Sequence, residues 1–423
     1  MATMIEKLER LGVEAWELAE VEETRWEFYF IGHRLDQNRS VKLRSTEVKV
    51  YVRSEDGESV GSASDVISPT ATEAEIDATL AKLTFQASLV KNPYYSIADA
   101  PVSADAPQEV DVAAIAEGFI RAFAAIPETA VRALNSYEIF VSAFTRHFRN
   151  SRGVDAVCTY PSTLLDVVVN AKRDGHEVEI YRLYRAGGCD EARLHEDVTR
   201  IMAFAEDRLD AMPTPKLGTA DVLLSTEDAV SVYEYFAGQV MADYVVRQIS
   251  TAKPGEALYE VRQGDALTMR ALPYLPNSSK NTPVDNEGNP VRERVLVEDG
   301  IARGFWGSRQ FSQYLGLAES SLLTNVEVAG GAQGEAAIRE RDYLEVVEFS
   351  SFKVDSMSGE VAGEIRLAYW HHDGRIDAVT GGSVSGLMAE TAPDMLMSCE
   401  TTQYNNWRIP RATLLPGLRI AGA

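Results

Sequence analysis

The sequence is poor in cysteine and in positive charge. Its 423 residues include 3 cysteines, and 64 acidic residues outnumber 41 Lys and Arg residues, which gives a net charge of −23. Cys158, Cys189 and Cys399 show no CxxC spacing, so neither a disulfide framework nor a thiolate zinc cluster is expected. Because nucleic-acid binding depends on basic side chains that neutralise phosphates, this acidic balance argues against direct nucleic-acid binding.

We expect neither a membrane span nor an export signal from the sequence. No stretch approaches the roughly 18 apolar residues that a membrane span requires. The first residues, MATMIEKLERLGVEAW, carry acids where a secretory leader carries basic residues. We therefore expect a cytoplasmic protein with no membrane partner.

What the chain does contain is a β-rich pattern interrupted by a few helices. Alternating apolar and polar residues predict antiparallel strands through most of the first 190 residues. Asp56 and Gly57 are predicted to supply the positive backbone angles of a hairpin turn. Thr72 and Glu75 form a candidate capping box. Another helix is predicted over about residues 194–212.

A change of pattern at residues 212–218 predicts a domain boundary. This segment, MPTPKLG, holds two prolines and a glycine within seven residues. We therefore predict an N-terminal α/β domain over residues 1–212 and a β-rich domain over residues 213–423. Within the second domain, the polar residues from 272 onward predict a long surface loop that leads into a hairpin.

Several separated motifs occur in one order along the chain. The most informative is residues 222–250, where a short strand precedes a helix that Thr226 is placed to cap. The others are NSRG at 150–153, DNEGNPV at 285–291, VEDG at 297–300, DSMSGE at 355–360, GGSVSG at 381–386 and PRATLLPGLRIAG ending at 422. Together they resemble the TldD/TldE (PmbA) family, the so-called modulators of DNA gyrase, over nearly the whole chain.

The resemblance implies both a fold and a function. The implied fold is α+β, with an antiparallel sheet in the N-terminal α/β domain and a closed or nearly closed sheet in the mostly β C-terminal domain. Dimerisation is expected to enclose a cavity. In the family, a TldD-like chain holds zinc and pairs with a TldE-like chain to degrade short or unfolded peptides, with roles in peptide maturation and antitoxin turnover.

The resemblance also implies that this chain has lost the zinc ligands. The catalytic branch carries HExxxH followed five residues later by an acid, whereas here Tyr233 and Gly238 stand at the two histidine positions. Glu234 and Asp243 retain the acids. A catalytic zinc needs about three protein ligands, and a phenol with a reference pKa of about 10 is a poor one. We predict no catalytic residue, metal ligand or cofactor in this chain, and zinc in a TldD-like partner.

These four positions also have plain structural interpretations. Tyr233 is predicted to be a core or dimer-contact residue, or to fill the vacated ligand position. Glu234 and Asp243 are predicted to be solvated or paired across the interface. Ligands five residues apart on an α-helix diverge by about 140°, so a catalytic helix must be distorted, whereas this helix has no such need.

The remaining histidines and Cys399 do not suggest a replacement metal site. His195 and Glu196 lack a second histidine within the next turn and are predicted to begin a helix. His371 and His372 precede a turn, and adjacent strand residues point to opposite faces. Cys399 lies where catalytic relatives are expected to supply a ligand, but we predict a buried thiol.

The sequence therefore favours a non-catalytic TldE-like subunit that is inactive alone. It would contribute a dimer interface and the wall of a cavity that admits short or unfolded peptides. An alternative from a different class is a homodimeric peptide-binding or adaptor protein without peptidase association. A third hypothesis is a self-sufficient hydrolase whose ligands are dispersed through the fold.

Overall fold

The computed structural model describes residues 3–99, 109–317 and 320–422 and shows an α+β fold, as predicted. The helices of these residues are α1 (Met4–Glu9), α2 (Glu73–Leu89), α3 (Val112–Ala124), α4 (Glu191–Asp210), α5 (Val230–Gln239), α6 (Ala242–Val246), α7 (Arg309–Tyr314), α8 (Glu335–Ile338) and α9 (Met388–Thr391). No helix in this described part is long and apolar enough to cross a bilayer.

The strands up to residue 224 are β1 (Ala15–Ile31), β2 (Arg34–Arg53), β3 (Ser59–Ile67), β4 (Asn92–Pro93), β5 (Arg132–Asn150), β6 (Asp155–Arg173), β7 (His176–Ala186), β8 (Met212–Pro213) and β9 (Gly218–Leu224). Those that follow are β10 (Met269–Leu272), β11 (Arg294–Glu298), β12 (Ile301–Ala302), β13 (Asn325–Val328), β14 (Tyr343–Val354), β15 (Glu360–His372), β16 (Arg375–Thr380), β17 (Ser383–Leu387), β18 (Leu396–Met397), β19 (Thr401–Tyr404), β20 (Trp407–Pro410) and β21 (Thr413–Ala421).

The N-terminal region is one seven-stranded antiparallel sheet in the order β4-β3-β2-β1-β5-β6-β7. Its alternating sequence buries every second residue of the central strands, as Ile139 and Val141 of β5 show. Helices α3 and α4 share a hydrophobic cluster with β5 and β6, while α2 packs on β2 and β3. The sheet and its helices therefore form the layered α/β unit that the sequence predicted.

Of two local predictions in this region, one is confirmed and the other is wrong in part. The capping box is confirmed, because Thr72 Oγ1 accepts from the Glu75 N–H and Glu75 accepts from the Thr72 N–H at 2.8 Å. In the hairpin turn, only Gly57 adopts a positive φ, of +74°. Asp56 was predicted to share that conformation and does not, because its carboxylate instead accepts from the Ser54 hydroxyl and from the Glu58 N–H.

The C-terminal region contains a closed sheet, which confirms the expectation from the resemblance. Strands β14, β9, β21, β17 and β15 are hydrogen-bonded in that order, and β15 pairs back onto β14 from Tyr343↔His371 to Val354↔Val361. A second sheet has the order β12-β11-β10-β13-β20-β19. The largest hydrophobic cluster joins the barrel strands, α5 and this second sheet.

The seven strands of the first sheet all precede residue 187, and the other two sheets start at Met212 or later. Met212 and Pro213 themselves form β8, which pairs in parallel with β16 of the C-terminal sheet. The segment predicted as a boundary therefore contacts the C-terminal region directly. The division at residues 212 and 213 remains a prediction.

The predicted surface loop after residue 272 is partly buried. Asp285 and Asn289 are each 2% exposed. Asp285 Oδ1 accepts from the N–H groups of Glu287 and Asn289 at 2.9 Å, and its Oδ2 accepts from the Leu322 N–H at 2.8 Å. The carboxylate therefore anchors the loop to the rest of the C-terminal region, a long-range contact that polar composition does not reveal.

The NSRG turn depends on Asn150. This residue is 5% exposed; its Oδ1 accepts from the N–H groups of Arg152 and Val154 at 3.0 Å, and its Nδ2 donates to Ala98 O at 2.7 Å. Asn150→Ala is expected to lower the free energy of unfolding by about 2 kcal/mol, since it leaves buried backbone groups unpaired. Urea denaturation measures this; Asn135→Ala, which removes one exposed contact with Glu179, is the control and should change little.

Glu17 predicts a pH dependence of stability. It is 8% exposed, accepts from the Tyr51 hydroxyl at 3.0 Å, and burial raises its pKa to about 7. Because the folded pKa lies above the ordinary value of 4.5, its contribution is full below pH 4.5 and is lost as the pH rises through about 7. Glu17→Gln should therefore increase stability at pH 8, by up to about 3 kcal/mol relative to the change at pH 4.5. Equal effects at both pH values in denaturant unfolding would contradict this.

Candidate functional site

The degenerate motif begins on α5, which packs against β14. Its apolar residues make the helix almost wholly internal, with Val232 and Phe236 among the buried side chains. A single 3₁₀ turn, Glu227–Ala229, precedes it. Thr226 does not cap the helix as predicted, because its hydroxyl donates to Asp228 Oδ2 at 3.1 Å and accepts from no helical N–H.

Tyr233, at the first histidine position, is sealed in the core. Its side chain is 0% exposed and lies in the largest hydrophobic cluster. The phenol oxygen is 2.7 Å from Thr413 Oγ1 at the start of β21. Burial raises the pKa of this phenol above its ordinary value, so it stays neutral. The core interpretation of Tyr233 therefore agrees with the structure, and the side chain is not available to a metal.

Gly238, at the second histidine position, leaves room for a neighbouring ring. A Cβ built on Gly238 would lie 3.3 Å from Tyr244 Cε2 and 3.7 Å from Ser356 Cβ. The Tyr244 hydroxyl is itself 3.0 Å from Ser356 Oγ. An imidazole at residue 238 would displace this pair, so the position lacks both a ligand and the space for one.

The two retained acids lie apart from the buried phenol. Glu234 is exposed, and partial desolvation raises the pKa of its carboxyl. Asp243 lies on the separate helix α6 and contacts Arg247 Nε at 2.5 Å. The exposure of Glu234 agrees with the prediction of a solvated side chain, whereas Asp243 is paired within its own chain and not across an interface. Neither acid is therefore placed to bind the same metal ion as the residue at position 233.

The helix is interrupted, contrary to our expectation of an undistorted one. Helix α5 ends at Gln239 and α6 begins at Ala242. Trp306 occupies the break: its Nε1 donates to Ala237 O at 2.7 Å, its N–H to Val240 O at 3.2 Å, and its carbonyl accepts from Ala242 N–H at 2.8 Å. The inserted residue satisfies the backbone groups that the break exposes, so contacts within the chain stabilise the distortion.

The residues at these positions do not fit a zinc ion. Two of the four have no usable donor, and no group of three or more His, Cys, Asp or Glu side chains in the described ranges is arranged to hold a metal. His371 stacks on Tyr343 at 4.2 Å, whereas His372 stacks on Trp370 at 3.6 Å and contacts Asp377. The two adjacent histidines thus have different partners, as their alternation on β15 predicts.

Two other sequence predictions need correction. Cys399 is exposed and is not the buried thiol that we predicted. It lies between β18 and β19, and its backbone N–H donates to Gln333 O at 2.7 Å. His195 lies inside α4, because the helix begins at Glu191 with Asp190 as its N-cap.

Sequence reasoning missed a cleft that involves both halves of the chain. Two adjoining cavities, of about 230 Å³ and about 100 Å³, lie between β7, α4 and residues 403–405. Both are lined by Tyr184 and Arg185. The local sequence signal is the YRLYR segment at 181–185, which supplies two of the arginines that line the cleft.

Comparison with known proteins finds a similarity to metallopeptidase-like proteins. Residues 217–423 match the family profile of the PmbA/TldA metallopeptidase C-terminal domain. A protein of Archaeoglobus fulgidus described as a metalloprotease is 25% identical over 229 residues, which cover 52% of each chain. The match thus spans about half the length of that curated relative.

Solved structures share the whole fold. TldE from Thermococcus kodakarensis is 16% identical with a TM-score of 0.78, and the alignment covers 99% of this chain and 100% of that chain. A Thermotoga maritima protein that bears the name of a DNA gyrase modulator is 17% identical, with the same TM-score and the same coverage. At these identities the likeness shows the fold alone.

Removal of the Tyr233 hydroxyl tests how firmly the phenol is held. Tyr233→Phe should lower the free energy of unfolding by about 2 kcal/mol, because the Thr413 hydroxyl, whose residue is 0% exposed, loses its partner. Tyr235→Phe, a change on the same helix, is the matched control. A double-mutant cycle with Thr413→Val should recover a coupling between the two positions. Equal losses for Tyr233→Phe and Tyr235→Phe would contradict the proposed importance of this bond.

Proposed function

Because residues 217–423 match the PmbA/TldA metallopeptidase C-terminal domain family, we propose that the chain is a non-catalytic, TldE-like subunit of a TldD/TldE-type peptidase complex. The observation that carries this proposal is the state of the motif: a buried phenol bonded to Thr413 and a glycine packed against Tyr244 stand where two ligands are required. A zinc peptidase needs the ion to lower the pKa of its attacking water. A TldD-like partner supplies that ion, in the cytoplasm.

The exposed part of the β1–β2 hairpin supports the association of this chain with a partner subunit. Strand β3 pairs only with Thr46–Arg53 of β2, so residues 34–45 of β2 pair with β1 alone among the described residues. Leu35 and Leu43 in this segment are 46% and 48% exposed. A long edge strand with exposed apolar side chains is a typical site of strand pairing with another chain. We assign this edge to the partner subunit.

The substrates in this proposal are short or unfolded peptides. A cavity enclosed between the two subunits would admit an extended chain and exclude a folded protein. This chain would provide one wall of the cavity and no reacting group. Peptide maturation and antitoxin turnover are the cellular processes that such a complex would serve.

The test is reconstitution with a TldD-like protein encoded in the same genome. We expect no turnover of unfolded casein or short fluorogenic peptides by this chain alone, and more turnover by the mixture than by the partner alone. Tyr233→His/Gly238→His should remain inactive when alone, since an imidazole at residue 233 would be sealed in the core and one at residue 238 would lack space. Chelator-sensitive turnover by the isolated chain would overturn the proposal, and a lack of complex formation would favour the homodimeric adaptor.

An interface variant makes this test sharper. Leu35→Glu/Leu43→Glu places carboxylates on the proposed edge, so the dissociation constant of the complex should rise at least about tenfold. Ile376→Glu, at a residue that is 63% exposed on β16, is the control and should leave binding unchanged. Analytical ultracentrifugation of the mixture measures the constant, and equal behaviour of the two variants would exclude this edge.

A further inference from the structure

The cleft between β7, α4 and residues 403–405 has a charge unlike that of the rest of the chain. Four arginines line its two cavities, namely Arg182, Arg185, Arg193 and Arg200. They outnumber the lining carboxylates, namely Asp190, Asp197 and Glu227. In a chain with a net charge of −23, such a concentration of guanidinium groups in a concave site indicates an anionic ligand group.

Most of these charges already have partners. Arg193 and Arg200 both contact Asp197, and Arg182 contacts Glu348. Asp190 caps α4, since its Oδ1 accepts from the Arg193 N–H at 3.1 Å. These pairs fix the walls of the cleft and leave little charge on them for a ligand.

Two opposite charges in the cleft are unpaired. The side chains of Arg185 and Glu227 form no hydrogen bond and no ion pair within residues 3–99, 109–317 and 320–422. Arg185 is exposed, whereas Glu227 is half-buried and burial raises the pKa of its carboxyl. The positive charges of Arg182 and, more weakly, of Arg185 act on Glu227 and oppose this rise of its pKa.

A buried hydroxyl and apolar walls complete the cleft. The Tyr184 side chain lines both cavities, and its hydroxyl is buried without a partner in the described part of the chain. Buried hydroxyls in native proteins are nearly always hydrogen-bonded, so this one is available to a bound polar group. Phe119 and Leu165 line the larger cavity, and Phe204 lines the smaller one.

We propose that this cleft binds a zwitterionic ligand of the amino-acid or short-peptide class, whose carboxylate pairs with Arg185 and whose ammonium group pairs with Glu227. A planar guanidinium fits a carboxylate through two parallel hydrogen bonds. The apolar walls accept the ligand's side chains. The peptide class rests on the proposed function, whereas the charge pairing rests on the cleft alone.

A phosphate ligand fits this cleft less well. Inorganic phosphate carries between one and two negative charges at neutral pH, and the unpaired carboxylate of Glu227 would repel it. It also offers no cation to Glu227. A zwitterion satisfies both unpaired side chains without adding net charge to the cleft.

Calorimetric titration of the full chain alone tests the inference. The probes are alanine, Ala-Ala-Ala, its C-terminal amide, its N-acetyl form and inorganic phosphate. We expect the free tripeptide or alanine to bind, with amidation or acetylation weakening tripeptide binding at least about tenfold. Equal binding of the free acid and the amide, or tighter binding of phosphate than of the tripeptide, would overturn it.

Matched variants assign the two charges. Arg185→Gln should remove the preference for the free acid over the amide, and Glu227→Gln should remove the preference for the free amine over the acetylated form. Arg375→Gln, at an exposed arginine on β16, should retain both preferences; loss of either preference in this control would overturn the assignment. These titrations need no partner chain, so ligand binding can be observed even when reconstitution of the peptidase fails. Reconstitution can likewise succeed when no ligand binds the cleft. Failure of this inference is therefore distinguishable from failure of the proposed function.

Discussion

The interaction on which this structure depends is the hydrogen bond between Tyr233 and Thr413. It joins α5 to β21, a strand of the closed C-terminal sheet, inside the largest hydrophobic cluster of the chain. A metal ligand at the same position must reach a site that substrate and water can enter. One side chain cannot satisfy both requirements, so the phenol that stabilises this core also rules out the first ligand.

The rest of the degenerate motif adapts to that choice. Gly238 allows the Tyr244 ring to approach α5, and Trp306 fills the interruption before α6. Glu234 is exposed and Asp243 is paired with Arg247. Each former ligand position therefore has a separate structural role. Any function of this chain is then expected on its surfaces. The apolar edge of β2 and the arginine-lined cleft are two such surfaces on different parts of the fold.

The sequence could predict the features that local patterns encode. Alternation identified the long strands of the first sheet, Thr72 and Glu75 identified a cap, and the resemblance identified the closed sheet. It could not predict the insertion of Trp306 or the burial of Asp285, because both depend on contacts between residues that are distant in the chain. The exposure of Cys399 and the assembly of the cleft were missed for the same reason.

The most direct test of this account is the zinc content of the purified full-length chain, measured by elemental analysis after equilibration with a small excess of zinc and removal of unbound ion. We predict a content far below one zinc per chain, and the same content in Glu234→Gln and Asp243→Asn. Stoichiometric zinc that is lost in either variant would show that α5 and α6 hold a metal after all, and would contradict the account.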